Sequence, residues 1–170
     1  MELKHYVREV PDFPRPGISF KDITPLLKDP TAFRYVLERF AEIYSARDVD
    51  VVAGIEARGF LFAAPLALQL DRSLIPVRKE GKLPCETSSV TYTLEYGDSA
   101  VEIHTDAIIP GQRVLIVDDL LATGGTMDAS TRLVHRSGGQ VVGHAVVIEL
   151  VALGGRDRLK GDDLVSLIQY

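Results

Sequence analysis

The segment VLIVDDLLATGGT, residues 114–126, constrains the possible folds of this sequence more than any other part of it. Its apolar, largely β-branched start is typical of a strand that is buried on both faces of a parallel sheet. Asp118 and Asp119 follow at the carboxyl end of that strand, where open α/β sheets bind their ligands. Because apolar residues then recur at helical spacing up to Val134, TGGT is predicted to open a helix.

The rest of the chain continues this alternation of strands and helices. Asp29 followed by Pro30 predicts the start of a long helix, since aspartate is a common N-cap and proline is favoured at the first helical position. Residues 88–104 instead alternate with period two, which predicts an antiparallel hairpin. Further strands are predicted at 49–55, 74–77, 113–117 and 141–150, and a further helix at 60–70. We therefore predict an α/β fold: a mostly parallel twisted sheet with helices on both faces, plus an antiparallel flap.

Length, charge and cysteine content narrow the class of protein. The 170 residues fit a single domain, 1–170, with a proline-rich N-terminal arm at 1–30 and a flexible flap at 79–104. The net charge of -5 argues against general nucleic-acid binding, which needs a field of lysine and arginine. Cys85 is the only cysteine, which excludes an internal disulfide and a cysteine-based zinc site and favours a cytoplasmic location. No membrane-spanning segment and no signal peptide are predicted.

The chemistry of residues 118–126 predicts a sugar phosphate as the ligand. Glycines let the backbone approach a ligand closely, and the free amides of a helix N-terminus favour an anion such as a monophosphate. Adjacent carboxylates are poor partners for a phosphate, so we expect Asp118 and Asp119 to accept hydrogen bonds from vicinal hydroxyls such as those of a ribose. The alternative is an acidic turn and a capped helix that bind nothing.

This thirteen-residue string resembles the signature of the type I phosphoribosyltransferases, which is an apolar strand, two acids, a short loop and TGGT or TGGS. Residues 11–30, 54–62, 77–84 and 94–97 are similar to the members that act on adenine. The resemblance implies the type I phosphoribosyltransferase fold and transfer of phosphoribose from 5-phosphoribosyl 1-diphosphate to N9 of adenine, giving AMP and pyrophosphate. It also implies purine salvage, a homodimer and Mg²⁺ that arrives with the substrate near Asp118 and Asp119, without direct protein ligands.

The resemblance also assigns roles to residues of this sequence. The implied catalytic residues are Glu95 for proton transfer at the imidazole edge of the purine, Asp118 and Asp119 for the ribose hydroxyls, and Arg58 for pyrophosphate. Ala122, Thr123, Gly124, Gly125 and Thr126 would wrap the 5'-phosphate, and Ala57, Gly59, Arg78 and Lys82 would also bind pyrophosphate. The backbone of Ser19 and Lys21 would select adenine, Phe20 would stack on its ring, and Tyr96 of the flap would cover the site.

Two alternatives remain open from the sequence. One is a regulator that senses phosphoribosyl diphosphate on the same fold without catalysis, although the residues before the first predicted strand leave no room for a DNA-binding domain. The other is a phosphoribosyltransferase for another nucleobase. Structural or solvated roles are expected for His5, His104, His135 and His144.

Overall fold

The computed structural model describes residues 1–94, 97–159, 161 and 163–170. These residues form two compact units, Met1–Arg39 and Phe40–Tyr170. The N-terminal unit contains a 3-10 helix Leu3–Tyr6, strands β1 Arg8–Val10 and β2 Phe20–Asp22, helix α1 Thr24–Lys28 and most of helix α2 Pro30–Tyr44. Helix α2 begins as predicted, because the Asp29 carboxylate accepts hydrogen bonds from the Thr31 and Ala32 amides at 2.9 Å.

Within the N-terminal unit, β1 and β2 pair as antiparallel strands with Glu9 opposite Lys21. The proline-rich segment that the sequence predicts to be irregular lies between these two strands in the chain. The Lys21 ammonium is largely buried and donates hydrogen bonds to Glu9 Oε2 at 2.7 Å and to Ser19 Oγ at 3.2 Å. The sequence did not predict either strand, since three residues are too few for a periodicity to be recognised.

The C-terminal unit contains the main sheet and two long helices. Its elements are β3 Val51–Ile55, α3 Phe60–Leu70, β4 Ser73–Lys79, β5 Thr87–Leu94, β6 Gly97–His104, β7 Arg113–Leu121, α4 Gly125–Arg136, β8 Gln140–Glu149, 3-10 helices Val151–Leu153 and Gly155–Leu159, and β9 Leu164–Gln169. The seven strands are ordered β5-β6-β4-β3-β7-β8-β9. Strands β4, β3, β7, β8 and β9 are parallel, and the antiparallel hairpin β5-β6 extends the sheet from the end of β4.

The two helices cover opposite faces of this sheet. A Cβ atom built on Gly54 of β3 would lie 2.7 Å from Ala63 Cβ of α3, so the side-chain direction at this position points to α3. The neighbouring residues Ala53 and Ile55 belong to the buried cluster that also contains Met127 of α4. Because successive residues of a strand point to opposite faces, α3 and α4 lie on different sides of β3. The predicted α/β fold is thus confirmed.

Several predicted strand boundaries differ from the structure, and that of β7 differs most. Strand β7 extends to Leu121 rather than ending at Val117, so Asp118 and Asp119 lie within the strand because its pairing with β8 continues past them. Strand β4 is also longer than predicted, Ser73–Lys79 rather than 74–77. No helix among the described residues is both long enough and apolar enough to cross a bilayer.

Candidate active site

Residues from six elements and a turn enclose a cleft of about 290 Å³. The cleft lies where the carboxyl ends of the neighbouring parallel strands β4, β3 and β7 meet, the edge at which open α/β sheets bind ligands. Its lining residues are Ile55, Glu56, Ala57, Arg58, Val77, Arg78, Lys79, Tyr92, Val101, Asp118, Asp119, Leu120 and Thr126. The fold therefore brings together six of the predicted site residues: Ala57, Arg58, Arg78, Asp118, Asp119 and Thr126.

The two aspartates of β7 form the floor of this cleft. Asp118 Oδ1 accepts a hydrogen bond from the Asp119 amide at 2.8 Å, and the buried Asp119 carboxylate forms an ion pair with Arg58 Nε at 2.7 Å. Burial and the neighbouring Asp119 carboxylate raise the pKa of Asp118 well above its usual range. Burial also raises the pKa of Asp119, although the Arg58 guanidinium opposes this shift. Such perturbed carboxyls in a cleft are typical of a functional site.

The turn between β3 and α3 places Arg58 against the acid pair. The turn contains a cis peptide bond between Glu56 and Ala57. A Cβ atom built on Gly59 would lie 2.5 Å from the Ile55 carbonyl oxygen and 2.9 Å from Asp118 Oδ1. Only glycine fits this approach, so Gly59 allows the turn to pack directly on β7.

Arg78 of β4 is held in the cleft wall by two hydrogen bonds. Its Nε donates to Glu56 Oε2 at 3.1 Å and its Nη1 donates to the Lys82 carbonyl at 2.9 Å. Burial raises the pKa of Glu56, but hydrogen bonds from the Lys79 amide and Arg78 outweigh it and leave the pKa below its usual range. The exposed Lys82 does not line the cleft described above, whereas Lys79 does.

A buried glutamate that the sequence did not single out anchors the segment after β4. Glu102, 3% exposed, accepts hydrogen bonds from the Lys82 amide at 3.0 Å, the Leu83 amide at 2.9 Å and the Thr87 hydroxyl at 3.2 Å. Burial raises its pKa, but the backbone amides outweigh burial and lower it. Glu102 alternates with its neighbours in AVEIH, yet the pattern alone does not show that its side chain is buried.

The TGGT segment forms a second, smaller cavity of about 190 Å³ beside the cleft. Asp118, Leu120 and residues 121–127 line it. Gly124, the N-cap of α4, has a φ of +80°, which glycine adopts without strain. A Cβ atom built there would also lie 2.6 Å from the carbonyl oxygen of Gly155. Residues 122–124 form the loop and Gly125 and Thr126 begin α4, so the segment ends in a helix N-terminus, which is suited to an anion.

Tyr92 of β5 is a cleft residue that sequence analysis missed. It is 8% exposed, and its Oη accepts a hydrogen bond from Thr126 Oγ1 at 3.1 Å. The available signal was the period-two pattern of the hairpin, in which Val90 and Tyr92 are both buried.

The remaining predicted site residues lie elsewhere. Ser19, Phe20 and Lys21 belong to the N-terminal unit, where Phe20 and Phe13 form an edge-to-face ring pair with centroids 5.2 Å apart. Glu95 and Tyr96 lie outside the described residues. Among the described residues, no group of three or more His, Cys, Asp or Glu side chains could hold a metal ion.

Comparisons with known proteins agree with this geometry. The phosphoribosyl transferase domain family matches residues 23–166. The adenine phosphoribosyltransferase of Halothermothrix orenii is 53% identical over 169 residues, 99% of each chain. The one from Carboxydothermus hydrogenoformans is 56% identical over 171 residues, 100% of each chain.

Solved structures show the same similarity. Adenine phosphoribosyltransferase from Thermoanaerobacter pseudethanolicus is 55% identical with a TM-score of 0.96, covering 99% of this chain and 98% of that one. The enzyme from Saccharomyces cerevisiae, crystallised with adenine and an imino-altritol bisphosphate, is 39% identical with a TM-score of 0.93. That match covers 98% of this chain and 96% of the yeast chain.

Proposed function

This chain belongs to the phosphoribosyltransferase family, and we propose that it transfers phosphoribose from 5-phosphoribosyl 1-diphosphate to N9 of adenine in purine salvage. The products are AMP and pyrophosphate: the bond from C1 of the ribose to the diphosphate oxygen breaks, and the bond from C1 to N9 forms. One observation carries the assignment. The acid pair Asp118–Asp119, the Arg58 turn and the end of the TGGT loop line one cleft in a chain that matches adenine phosphoribosyltransferases over its full length.

The ribose 5-phosphate half of the substrate fits residues of β7 and α4. Asp118 and Asp119 accept hydrogen bonds from the ribose hydroxyls, and their raised pKa values support a need for donors at this point. The loop formed by Ala122, Thr123, Gly124, Gly125 and Thr126 wraps the 5'-phosphate with its amides and hydroxyls. This role is supported by the cavity beside the loop and by the helix N-terminus that opens at Gly125.

The diphosphate half fits the part of the cleft that the β3–α3 turn and β4 form. Arg58 supplies charge there, and the backbone amides of Ala57 and Gly59 supply donors. Arg78 adds charge from β4, where its hydrogen bonds to Glu56 and to the Lys82 carbonyl hold it in place. Lys82, exposed on the segment that Glu102 anchors, adds a further cation. Preorganised donors of this kind stabilise the charge that develops on a departing diphosphate.

We propose Mg²⁺ as the cofactor, and the residues present fit it. Mg²⁺ commonly binds through substrate phosphates and water, and we expect it to arrive with the substrate and to lie near Asp118 and Asp119 without direct protein ligands. Bound with the substrate, the ion neutralises charge on the leaving diphosphate.

Adenine binding is assigned to the N-terminal unit. Ser19 and Lys21 offer backbone groups that match the exocyclic amine and N1 of adenine, and Phe20 stacks on the ring. Selection by the backbone is supported by the Lys21 side chain, whose ammonium is committed to Glu9 at 2.7 Å. Glu95 transfers a proton at the imidazole edge of adenine and Tyr96 helps to cover it; β5 and β6 flank these two residues in the chain.

We also propose a cytoplasmic homodimer. Helix α3 presents an apolar outer face, because Leu61 is 44% exposed and Leu68, seven residues later on the same face, is 84% exposed. A second copy of the chain would bury this face. Sedimentation velocity of Leu68→Glu, with Gln69→Glu as the matched control on the same helix, tests the dimer. A dimer that survives Leu68→Glu unchanged refutes this interface, and a monomeric wild type refutes the dimer.

The assay for the proposed function is pyrophosphate release with phosphoribosyl diphosphate, Mg²⁺ and each of adenine, hypoxanthine, guanine, xanthine and orotate. Adenine alone is expected to support rapid release. Rapid release with another base would favour the second alternative, a transferase for that base. Binding of phosphoribosyl diphosphate without release for any base would favour a non-catalytic sensor.

A further inference from the structure

We propose that Tyr92 is a positioning residue that aims the Thr126 hydroxyl at the 5'-phosphate, an inference that rests on the proposed function. The two residues come from different elements, since Tyr92 lies on β5 and Thr126 lies in the first turn of α4. Both line the cleft, and Thr126 also lines the smaller cavity of the TGGT loop. The tyrosine thus joins the hairpin to the loop that is assigned to the phosphate.

Packing fixes where the Tyr92 hydroxyl lies. A Cβ atom built on Gly125 would lie 3.2 Å from Tyr92 Cδ2, so the ring packs closely on the backbone of the loop. The ring is 8% exposed, and its Oη lies 3.1 Å from Thr126 Oγ1. A tyrosine has few rotatable bonds, and a buried ring holds its hydroxyl with little further loss of entropy.

The chemistry of the two hydroxyls explains how this contact serves an anion. Each hydroxyl has one proton to donate and can accept hydrogen bonds as well. In the structure Thr126 donates to Tyr92. When a phosphate offers oxygen acceptors, the tyrosine can instead donate to Thr126 Oγ1, which leaves the threonine proton directed at the phosphate. Both hydroxyls keep a partner in either state, and hydrogen bonds linked in series strengthen each other.

Without the tyrosine hydroxyl, Thr126 loses this orientation. A threonine hydroxyl without a fixed partner rotates freely, so its proton is no longer directed at the phosphate. Tyr92→Phe keeps the ring that packs on Gly125 and removes only the hydroxyl. Because one net hydrogen bond is lost, we expect about three- to tenfold weaker binding of a ligand that carries the 5'-phosphate.

The test compares AMP with adenosine, which lacks only the phosphate. Dissociation constants for both are measured by calorimetry on wild type, Tyr92→Phe, Thr126→Val and the double variant. Tyr92→Phe is expected to weaken AMP binding and to leave adenosine binding unchanged. In the Thr126→Val background, Tyr92→Phe is expected to have no further effect, whereas Thr126→Ser should retain the effect of Tyr92.

Tyr44→Phe is the matched control. Tyr44 is also buried, and its hydroxyl donates to the His144 carbonyl at 2.8 Å, but it does not line either cavity. Removal of the Tyr44 hydroxyl is expected to lower the midpoint of thermal unfolding without changing the ratio of the dissociation constants for AMP and adenosine. An unchanged ratio in Tyr92→Phe, or an equal change in the Thr126→Val background, would overturn the positioning role. A wild type that binds adenosine as tightly as AMP would instead refute the phosphate site.

Discussion

Gly155→Ala tests whether the C-terminal segment shapes the phosphate loop from outside the cleft. A Cβ atom built on Gly155 would lie 2.2 Å from the Ala122 carbonyl oxygen and 3.0 Å from the Gly124 nitrogen. The backbone of the 3-10 helix Gly155–Leu159 therefore rests directly on the loop assigned to the 5'-phosphate. Gly155 does not have a positive φ, so alanine is excluded here by space and not by backbone conformation.

The size of the effect follows from the overlap. Real Cβ atoms essentially never approach other heavy atoms within 3.0 Å, so the loop or the 3-10 helix must move by nearly 1 Å to admit the methyl group. The 3-10 helix cannot move easily, because Arg156 donates to the buried Glu149 through Nε at 2.8 Å and Nη2 at 2.6 Å. We expect a loss of stability of about 1–3 kcal/mol from overpacking. A loop displaced by about 1 Å costs on the order of a hundredfold in kcat/KM.

Steady-state kinetics with varied phosphoribosyl diphosphate and thermal unfolding measure the two effects separately. Asp157→Ala changes an exposed residue of the same 3-10 helix and is the control. We expect it to change neither the kinetic constants nor the thermal stability strongly. We expect Gly155→Ala to raise KM for phosphoribosyl diphosphate at a temperature where it is still folded. A folded Gly155→Ala enzyme with wild-type KM and kcat would refute the coupling between this segment and the loop.

Three further results are expected. Asp118→Asn and Asp119→Asn should each lower kcat/KM strongly, because a charge-assisted hydrogen bond contributes about 1.5–3 kcal/mol. His135→Asn should change kcat/KM little. An equal loss in the His135 variant would show that the sugar does not bind at the two aspartates. Phe20→Ala should raise KM for adenine because stacking on the ring is lost. Lys21→Ala should keep the ratio of adenine to hypoxanthine activity. A Lys21→Ala enzyme that accepts hypoxanthine would contradict selection of adenine by the backbone. Hydrogen bonds from Arg156 lower the pKa of Glu149 from 4.5 to about 2, so its contribution to stability is complete above pH 4.5 and falls as the pH drops towards 2. In urea unfolding, the difference between wild type and Glu149→Gln should therefore shrink below pH 4.5, and a difference independent of pH would contradict this.

Long periodic segments of the sequence predicted the fold well. Helix α3 has the predicted limits, residues 60–70, and α2 starts at the predicted proline. Strands β3, β4, β7 and β8 were predicted because parallel strands buried on both faces are continuous apolar runs. Local composition decides such elements, whereas the pairing of β7 with β3 and β8 was not predicted, because it depends on contacts between distant segments.

The contact of the 3-10 helix Gly155–Leu159 with the TGGT segment could not be predicted from the sequence. Gly155 is one glycine in the polar segment GGRDRLKGDD, and nothing local distinguishes it from Gly154 beside it. Its role depends on contact with Ala122 and Gly124, more than 30 residues earlier in the chain. Tyr92 was missed for the same reason, because its partner Thr126 lies 34 residues away. Contacts between distant segments leave no periodicity in either segment.

The hydrogen-bond partners of the buried carboxylates around the cleft distinguish the glutamates that have structural roles from the aspartates that are candidates for ligand binding. Glu56 and Glu102 both follow or interrupt apolar strands, as Asp118 does, but the sequence singled out only Asp118, because the TGGT segment follows it. In the structure the two glutamates accept hydrogen bonds from backbone amides, which lower their pKa values despite burial. Asp118 instead faces a second carboxylate, which together with burial raises its pKa. The neighbouring carboxylate thus adds to the effect of burial at Asp118, whereas the amide donors oppose it at each glutamate, and this difference makes Asp118 the candidate contact for a substrate.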